Sequence, residues 1–434
     1  MKLYLVSVQY LGSIAGSGGI YVLELSKELA KEGIEVNVIT MGIGDNKEFE
    51  EIEVENADKK IKVYRLWTSD SKNIKGPFEG DKKEEIKRLK DFSQKVLEFF
   101  SANKINGKDV IIHLFGHYMI PSLARQLKKI SNFRIVTTLY ALESISEARK
   151  GDEGRGGRDL IKFIQKRERD SIIYSDFIIV RSNSIDEELS WMFPDIYDKN
   201  KVIIIPGGVS NFFVKKSKFS YEDIELIKRN FNISGKLFLS INRIDPAKGL
   251  EYIISAYSNA IKNYNEKSTL LIAGWLEEKN RWYYKRLLHQ ISKIKDKRIR
   301  DSIKIIINLK SEDKLLLYHI ASFTILGFIV TPFSITLVES ILKEVPFIIP
   351  GIESVLDILK VEKVVQPFVE VNGGILVYFL NPVKRVEYIE KGIQYALKNE
   401  SKLKKDIKVL KPQMERYLWK NSIKLYIDVY KRLI

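Results

Sequence analysis

Residues 237–263 read LFLSINRIDPAKGLEYIISAYSNAIKN, and the fold prediction depends on this stretch. The apolar run Leu237–Ile241 predicts a buried strand, and Gly249–Asn263 has the spacing of a helix with one apolar face. A short polar turn lies between them. A strand, a turn and a helix in this order form the repeating unit of α/β proteins with parallel sheets.

The same alternation runs along most of the 434 residues, with helices predicted between several of the strands, the first over Gly19–Lys31. It pauses at Pro206-Gly207-Gly208 and in the basic stretch that ends near Lys218, and then resumes. This pause predicts a boundary between two domains of one architecture. The other predicted strands are Leu3–Val8, Glu35–Thr40, Lys62–Leu66, Val110–Phe115, Arg134–Leu139, Phe177–Arg181, Lys201–Ile205, Thr269–Ala273, Ile303–Ile307, Thr324–Val330 and Phe347–Ile349.

The composition limits the class of protein. The chain is 45% hydrophobic and 29% charged, which is typical of a soluble globular protein. It has no cysteine, which excludes disulfides, thiolate metal sites and a cysteine nucleophile, and which fits a reducing or a hot compartment. The net charge of +16 indicates an anionic partner or, equally well, the lysine-rich surface of a thermophile.

Two segments bear on membrane association. The N-terminal run has the alternation of a strand and no cleavage site of a signal peptide. Residues 320–338 contain no charged side chain, but Gly327, Pro332 and five hydroxyl side chains favour a buried strand, a turn and a helix start over a membrane span. We therefore expect a cytoplasmic protein.

Three turns carry the candidate chemistry, each at a strand end followed by a helix. Gly16-Ser17-Gly18-Gly19 would let helix amides approach a phosphate, but it lacks the G-x-G-x-x-G pattern, and Thr40 ends the second strand where an acidic residue would hold a dinucleotide. Arg243 and Lys248 put two cations on one loop, which suits a diphosphate leaving group. The third turn, Thr331–Glu339, would present helix amides and the Glu339 carboxylate to a ribose.

The segment Arg149–Arg169 reads RKGDEGRGGRDLIKFIQKRER. Four glycines among many cations predict a basic loop and helix that binds a phosphate-bearing acceptor or an anionic membrane surface. A solvated helix after a loop explains the pattern equally well.

In this order the three turns resemble glycosyltransferase family 4, which has the GT-B fold. The resemblance extends to the opening helix GGIYVLELSKEL, the strand Leu270–Gly274 before a base-binding loop, the late strand at Val371–Val377, and the ending Trp419–Tyr430, which is similar to a terminal helix that returns to the first domain. It implies α/β architecture with two Rossmann-like, doubly wound parallel sheets and a deep cleft between the domains. The implied domains are an acceptor domain over 1–208, a donor domain over 209–410 and a returning helix over 411–434.

The resemblance also implies an activity and residue roles. A hexose would pass from a nucleoside diphosphate sugar, with UDP or GDP as the nucleotide, to a glycan, lipid-linked or small-molecule acceptor, with retention of anomeric configuration and with neither metal nor cofactor. Arg243, Lys248 and Glu339 would be the catalytic residues. The first two would stabilise the diphosphate, and Glu339 would hold the ribose. The implied donor site is completed by Gly18, Gly19, Thr331, Phe333, Ser334 and Ile335.

The chain departs from the family pattern where the sugar should be held. Thr331 stands in place of a glutamate that normally reaches the sugar hydroxyls, and Ser334 in place of a glycine. Tyr140 replaces a histidine near the reacting centre, and Gly207 replaces an asparagine. We assign Tyr140 to the acceptor side. We also assign His113 and His117 to it, because both lie at the end of one predicted strand; the alternative is that these two histidines are packed in the core.

Three other functions stay open. A non-catalytic nucleotide-binding homologue would explain Thr331 and Tyr140, and a sugar-nucleotide epimerase would use the same fold. Nucleic-acid binding is disfavoured, because the cations are spread along the chain and no nucleic-acid motif is present.

Overall fold

The computed structural model describes residues 1–12, 17–107, 109–149, 157–214 and 219–434. The chain divides into two compact units, which we call unit 1 (Met1–Gly208 with Trp419–Ile434) and unit 2 (Val209–Leu418). The chain leaves unit 1 after Gly208, where the sequence placed its boundary. The predicted start of the returning segment at 411 is wrong. Residues 411–418 belong to unit 2, because Val209 pairs with Leu418 and donates its amide hydrogen to the Tyr417 carbonyl over 2.7 Å.

Unit 1 contains an eight-stranded sheet of order β3-β4-β2-β1-β5-β6-β7-β8. Every pairing is parallel except that of β3 with β4. Elements are numbered along the chain. The strands are β1 Lys2–Val6, β2 Glu35–Met41, β3 Phe49–Ile52, β4 Ile61–Leu66, β5 Val110–Phe115, β6 Arg134–Leu139, β7 Phe177–Val180 and β8 Val202–Ile204; the helices are α1 Ser17–Lys31, α2 Lys82–Ala102, α3 Ala124–Ile130, α4 Glu143–Arg149, α5 Gly157–Tyr174, α6 Asn183–Met192 and α17 Trp419–Lys431.

The central strands of unit 1 are buried on both faces, which explains their nearly continuous apolar sequences. Helix α17 completes one face by packing on α1. Its Trp419 ring lies 4.9 Å from the ring of Tyr21, and a Cβ atom on Gly208 would come within 2.1 Å of the indole. Glycine at 208 therefore lets the backbone pass directly over the returning helix.

Unit 2 contains a seven-stranded sheet of order β11-β10-β9-β12-β13-β15-β14. The pairings are parallel except for the hairpin of β14 and β15. The strands are β9 Lys236–Ile241, β10 Ser268–Gly274, β11 Ile303–Ile307, β12 Phe323–Ile325, β13 Phe347–Pro350, β14 Phe368–Val371 and β15 Gly374–Val377; the helices are α7 Tyr221–Asn230, α8 Leu250–Ala260, α9 Arg281–Ser292, α10 Lys297–Asp301, α11 Ser311–Ile320, α12 Ile335–Leu342, α13 Glu353–Leu359, α14 Arg385–Lys398, α15 Glu400–Asp406 and α16 Lys411–Met414.

The predicted strand Thr324–Val330 is wrong beyond Ile325. At Gly327 the backbone leaves the sheet and passes close to Gly249, whose carbonyl oxygen would lie 2.7 Å from a Cβ atom on Gly327. The antiparallel edge strands β3 and β14 were not predicted, because short and half-exposed strands lack a continuous apolar run. Within the described ranges, no helix is both long and apolar enough to cross a membrane.

Candidate functional site

In unit 2, the loop after β9 has a conformation that its own residues determine. Asp245 accepts a hydrogen bond from the Ala247 amide over 2.9 Å and caps the short 3-10 helix Pro246–Lys248. Gly249 then adopts a left-handed φ of 55°, and a Cβ atom there would lie 2.1 Å from the Gly327 carbonyl oxygen. Glycine is therefore required on both conformational and steric grounds.

Arg243 and Lys248 lie on this loop, at the carboxyl end of the parallel sheet. Arg243 Nη1 donates to Glu277 Oε1 over 2.9 Å and is partly exposed. Within the described ranges, no hydrogen bond or ion pair engages Lys248 Nζ. Burial, and next the Arg243 charge, lower the pKa of Lys248 to about 8, although Asp245 opposes them. An anion bound here would relieve the repulsion between the two cations.

The loop carrying the third motif lies against the loop after β9. The Ile329 amide donates to the Ala247 carbonyl over 3.0 Å, and Thr336 Oγ1 donates to the Ile241 carbonyl over 3.3 Å. Helix α12 therefore begins beside the end of β9. The structure brings the two predicted donor motifs together at one edge of the sheet, where doubly wound folds bind ligands.

Three predicted donor residues of the third motif have mainly structural contacts. Ser334 caps α12 by accepting a hydrogen bond from the Leu337 amide over 3.3 Å. Phe333 is buried, with its ring centroid 5.3 Å from that of Tyr417. Thr331 Oγ1 donates to the Phe333 carbonyl over 3.3 Å. Ile335, which follows Ser334, is the first residue of α12 and is partly exposed.

Glu339 is buried and ion-paired. Its side chain is in the second turn of α12 and accepts from Lys314 Nζ over 2.6 Å and from the Tyr318 hydroxyl over 3.0 Å. Glu339 is therefore not an exposed helix residue. A carboxylate has about four acceptor positions, so these two bonds leave room for a further donor. Sequence inspection missed Lys314, which belongs to α11, because only the fold brings α11 to α12.

In unit 1, the predicted donor and acceptor residues Gly18 and Tyr140 are in contact. The Tyr140 hydroxyl donates to the Gly18 carbonyl over 3.3 Å, and a Cβ atom on Gly18 would lie 3.1 Å from the Tyr140 ring. Gly19 follows within α1. Gly16 lies outside the described residues.

Arg181 is a further cation at this edge, and sequence inspection missed it as a site residue. It follows β7 and is only 5% exposed, with its guanidinium 4.8 Å from the ring centre of Tyr21 and 5.6 Å from that of Tyr140. A Cβ atom on Gly207 would lie 1.7 Å from Arg181 Nη2. The Arg181 guanidinium therefore explains why glycine occupies position 207. The sequence feature that could have identified Arg181 is a charged residue at the end of a continuous apolar strand.

The prediction that His113 lines the acceptor side is wrong. The ring is fully buried, its Nδ1 lies 2.7 Å from the Tyr430 hydroxyl, and its Nε2 lies 2.8 Å from Thr138 Oγ1. Burial lowers the pKa of His113 well below its usual value, so the ring is neutral. His113 joins α17 to the sheet and is a core residue.

His117 has different surroundings from His113. Its Nε2 lies 3.3 Å from Glu85 Oε1 and 3.7 Å from Glu143 Oε2. Burial alone would raise the pKa of Glu85, but His117 and Lys82 outweigh it and lower the value to about 2. Glu85 and Glu143 come from α2 and α4, which sequence spacing could not connect with β5.

Residues 150–156 of the predicted basic segment lie outside the described ranges. In its helix, α5, Arg158, Lys162 and Lys166 are exposed. Glu168 is 2% exposed and accepts hydrogen bonds from the Ser144 amide and hydroxyl over 3.2 and 2.6 Å. Burial raises the pKa of Glu168 to about 7 despite these bonds. Anion or membrane binding by α5 stays a prediction. Lys218 also lies outside the described ranges.

Comparisons with known proteins agree with a fold of two α/β units. Residues 18–211 match the family model for Glycosyltransferase Family 4, and residues 223–410 match the model for Glycosyl transferases group 1. The chain is a glycosyltransferase of the GT-B type. Its two halves match these two models, so it is a family 4-like glycosyltransferase.

Relatives extend over the whole chain. An uncharacterized glycosyltransferase of Methanocaldococcus jannaschii is 25% identical over 99% of this chain and 98% of its own length. The sucrose-phosphate synthase structure from Thermosynechococcus elongatus has a TM-score of 0.77 at 16% identity and covers 100% of this chain and 98% of that one. An E. coli structure bound with UDP-2-fluoro glucose has a TM-score of 0.72 at 11% identity and covers 100% of both chains.

Proposed function

We propose that this enzyme transfers a hexose from a UDP- or GDP-sugar to a hydroxyl of a glycan, a lipid-linked sugar or a small molecule, with retention and without a metal. The bond from sugar C1 to the diphosphate breaks with its electron pair on the diphosphate, and C1 bonds to the acceptor oxygen. The acceptor proton leaves to the diphosphate or to solvent.

One observation carries this proposal. Arg243 and Lys248 share a loop whose conformation Asp245 and Gly249 determine, and Lys248 Nζ has no hydrogen-bond or ion-pair partner among the described residues. Two cations at the carboxyl end of a parallel sheet match the charge of a nucleoside diphosphate. They would stabilise the negative charge that grows on the diphosphate as it leaves.

The other roles follow from position. Glu339 retains acceptor capacity for a ribose hydroxyl, and the start of α12 offers backbone amides beside the same loop. For Gly18 and Gly19, at the start of α1, the role of contacting the phosphates rests on the family resemblance alone. Among the nucleotides, UDP has support from the related E. coli structure bound with UDP-2-fluoro glucose.

The test is the release of nucleoside diphosphate from a panel of UDP- and GDP-sugars, with and without sugar acceptors. We expect one donor to be turned over, and Arg243→Ala to lower kcat/KM about 100-fold, the usual scale for losing a group that stabilises developing charge. Lys262→Ala is the matched control, because this exposed lysine follows the far end of α8. Turnover of no donor would contradict the proposal, and nucleotide binding without turnover would favour the non-catalytic homologue.

A further inference from the structure

The segment that follows β10 lies along the loop after β9, and we call its residues 275–283 the bracing segment. Three hydrogen bonds of 2.8 to 3.3 Å connect the two, and the bonded pairs are Ile244 with Trp275, Asp245 with Asn280 and Leu250 with Tyr283. Asn280 and Tyr283 are buried. The bracing segment therefore holds the loop that carries the two predicted catalytic cations.

Glu277 lies within the bracing segment and reaches the first of these cations. Its Oε1 accepts from Arg243 Nη1 over 2.9 Å, and its Oε2 lies 2.9 Å from Lys279 Nζ. The Glu277 side chain is 12% exposed, whereas the side chains of Arg243 and Lys279 are each 40% exposed. The carboxylate is therefore the inner member of the group, and both cations remain accessible.

The contact with Glu277 leaves most of the Arg243 guanidinium available. Within the described ranges Arg243 donates this one hydrogen bond, so its other N–H groups are left for a ligand. Its Nη2 lies 3.7 Å from Asp245 Oδ2, which is too far for a hydrogen bond. A guanidinium that is held at one end has a defined direction and loses less rotamer freedom when it meets an anion.

The charges around the loop give Lys279 a purpose. The carboxylates of Asp245 and Glu277 together would cancel the charges of the two loop cations. An anion would then gain little from the loop. Lys279 pairs with Glu277 and leaves the whole group with a net positive charge. Arg243 is therefore oriented by a carboxylate while the loop keeps its attraction for an anion.

We propose that Glu277 is a positioning residue for the transfer reaction and that Lys279 offsets its charge. Glu277 holds the Arg243 guanidinium in the direction that meets the diphosphate of the donor, and it acts through Arg243 without touching the substrate. Lys279 cancels the repulsion between Glu277 and the diphosphate. Both roles rest on the proposed function, because they assume that Arg243 meets a diphosphate.

A double-mutant cycle tests whether Glu277 acts through Arg243. Release of nucleoside diphosphate from the donor that is turned over is measured for wild type, Glu277→Ala, Arg243→Ala and the double variant. We expect Glu277→Ala to lower kcat about tenfold, the scale for misplacing a group that stabilises developing charge. The donor KM should change less than about threefold, because loss of orientation and loss of a repelling carboxylate oppose each other. In the Arg243→Ala background, Glu277→Ala should cause no further loss.

Conservative and control variants complete the cycle. Glu277→Gln keeps a carbonyl oxygen for Arg243 Nη1 and should retain kcat within about threefold of wild type. Glu278→Gln is the matched control, because this neighbouring side chain is 68% exposed and pairs with Arg281, and it should leave kcat unchanged. Additive losses in the double variant, an equal loss in Glu277→Gln and Glu277→Ala, or a higher kcat in Glu277→Ala would each overturn the positioning role.

A binding measurement tests the charge offset without turnover. Calorimetric titration of UDP and of GDP at pH 7 should show affinity about fivefold weaker in Lys279→Gln, the scale of one partly exposed charge pair. Adding Glu277→Gln to Lys279→Gln should restore the affinity, because the uncompensated carboxylate is then removed. Lys285→Gln, at an exposed lysine of α9, is the control. A loss that persists in the double variant would show that Lys279 itself contacts the nucleotide, and it would overturn the offset.

The same titrations separate this inference from the proposed function. If wild type binds a nucleotide and Arg243→Ala weakens it, while the changes at Glu277 and Lys279 alter neither affinity nor kcat, the proposed function stands and the positioning role falls. If wild type binds neither UDP nor GDP and turns over no donor, both fall, because Arg243 then has no diphosphate to meet.

Discussion

The carboxyl edges of the two sheets carry the predicted donor and acceptor residues, and they are built differently. In unit 2 the cations Arg243 and Lys248 are partly exposed on a loop that hydrogen bonds and a left-handed glycine hold in shape. In unit 1 the cation Arg181 is buried over two tyrosine rings, and Tyr140 is packed against Gly18. The pattern of the similar family is retained in the loop that would meet the diphosphate. It is altered at Thr331 and Ser334 in unit 2 and at Tyr140 and Gly207 in unit 1.

Under the proposed function, this difference means that the fold keeps its diphosphate-binding loop while the positions that would meet the sugars change. A diphosphate has the same charge for every donor sugar, so its site needs the same cations. An acceptor is recognised by shape and by hydroxyl groups, and these are matched by rings and carboxylates from several elements. The two edges should therefore respond differently to substitution.

Gly249→Ala should have the largest effect and should damage unit 2. Alanine at φ 55° is strained, and its Cβ atom would lie 2.1 Å from the Gly327 carbonyl oxygen. We expect a loss of about 4 kcal/mol in the free energy of unfolding together with loss of nucleotide binding. Gly44→Ala is the matched control, because Gly44 has φ 56° and nothing within 4 Å of the added atom, so it should cost only about 1 kcal/mol. Denaturant unfolding measures the free energy lost by each variant. Equal losses in Gly249→Ala and Gly44→Ala would show that the close approach to Gly327 is unimportant.

The affinity for UDP should fall as the pH rises, because Lys248 loses its charge. With the pKa of Lys248 lowered to about 8, the ammonium charge of the free enzyme is lost as the pH rises from 7 to 9. Each missing charge-assisted contact costs about tenfold or more in affinity. Lys248→Arg should flatten this profile, because a guanidinium stays charged. A profile that is the same in Lys248→Arg and wild type would exclude Lys248 as its source.

Gly207→Asn tests the packing of the unit 1 edge. The added Cβ atom would lie 1.7 Å from Arg181 Nη2, so the guanidinium must move off the Tyr21 ring. We expect a loss of about 2 kcal/mol in stability, as is usual for overpacking. The double variant with Arg181→Ser should be more stable than the sum of the two single changes predicts. Strict additivity in thermal unfolding would contradict the account of position 207.

Glu168→Gln should stabilise unit 1 only as the pH rises, and near pH 5 it should have the smallest effect of these substitutions. Because burial raises the pKa of Glu168 to about 7, the folded chain holds this proton more tightly than the unfolded chain does. Its stability contribution is therefore complete below about pH 4.5 and falls as the pH rises through 7. We expect Glu168→Gln to remove this pH dependence, so that between pH 5 and pH 8 its free energy of unfolding gains about 2.5 kcal/mol relative to wild type. A pH-independent difference would contradict a protonated carboxyl.

The fold followed from sequence because most strands are buried on both faces and therefore leave continuous apolar runs. The edge strands β3 and β14 leave no such run, and β12 ends early because Gly327 meets Gly249, a contact between residues far apart in sequence. The candidate donor loop could be identified from sequence because Arg243 and Lys248 lie within six residues of each other. The surroundings of the other candidate residues depend on tertiary packing, which sequence spacing does not reveal. His113 and His117 are four residues apart on the same strand end, yet one is a core residue and the other lies beside two carboxylates.

The most direct test of the central claim is calorimetric titration of UDP and of GDP into wild type, Lys248→Ala and Lys262→Ala at pH 7. The account predicts saturable binding of one nucleotide per chain to wild type and to Lys262→Ala. It predicts affinity about 100-fold weaker in Lys248→Ala, because a charged partner of the diphosphate is lost. Failure of wild type to bind either nucleotide, or equal affinity in all three proteins, would contradict a nucleoside diphosphate site on the loop after β9.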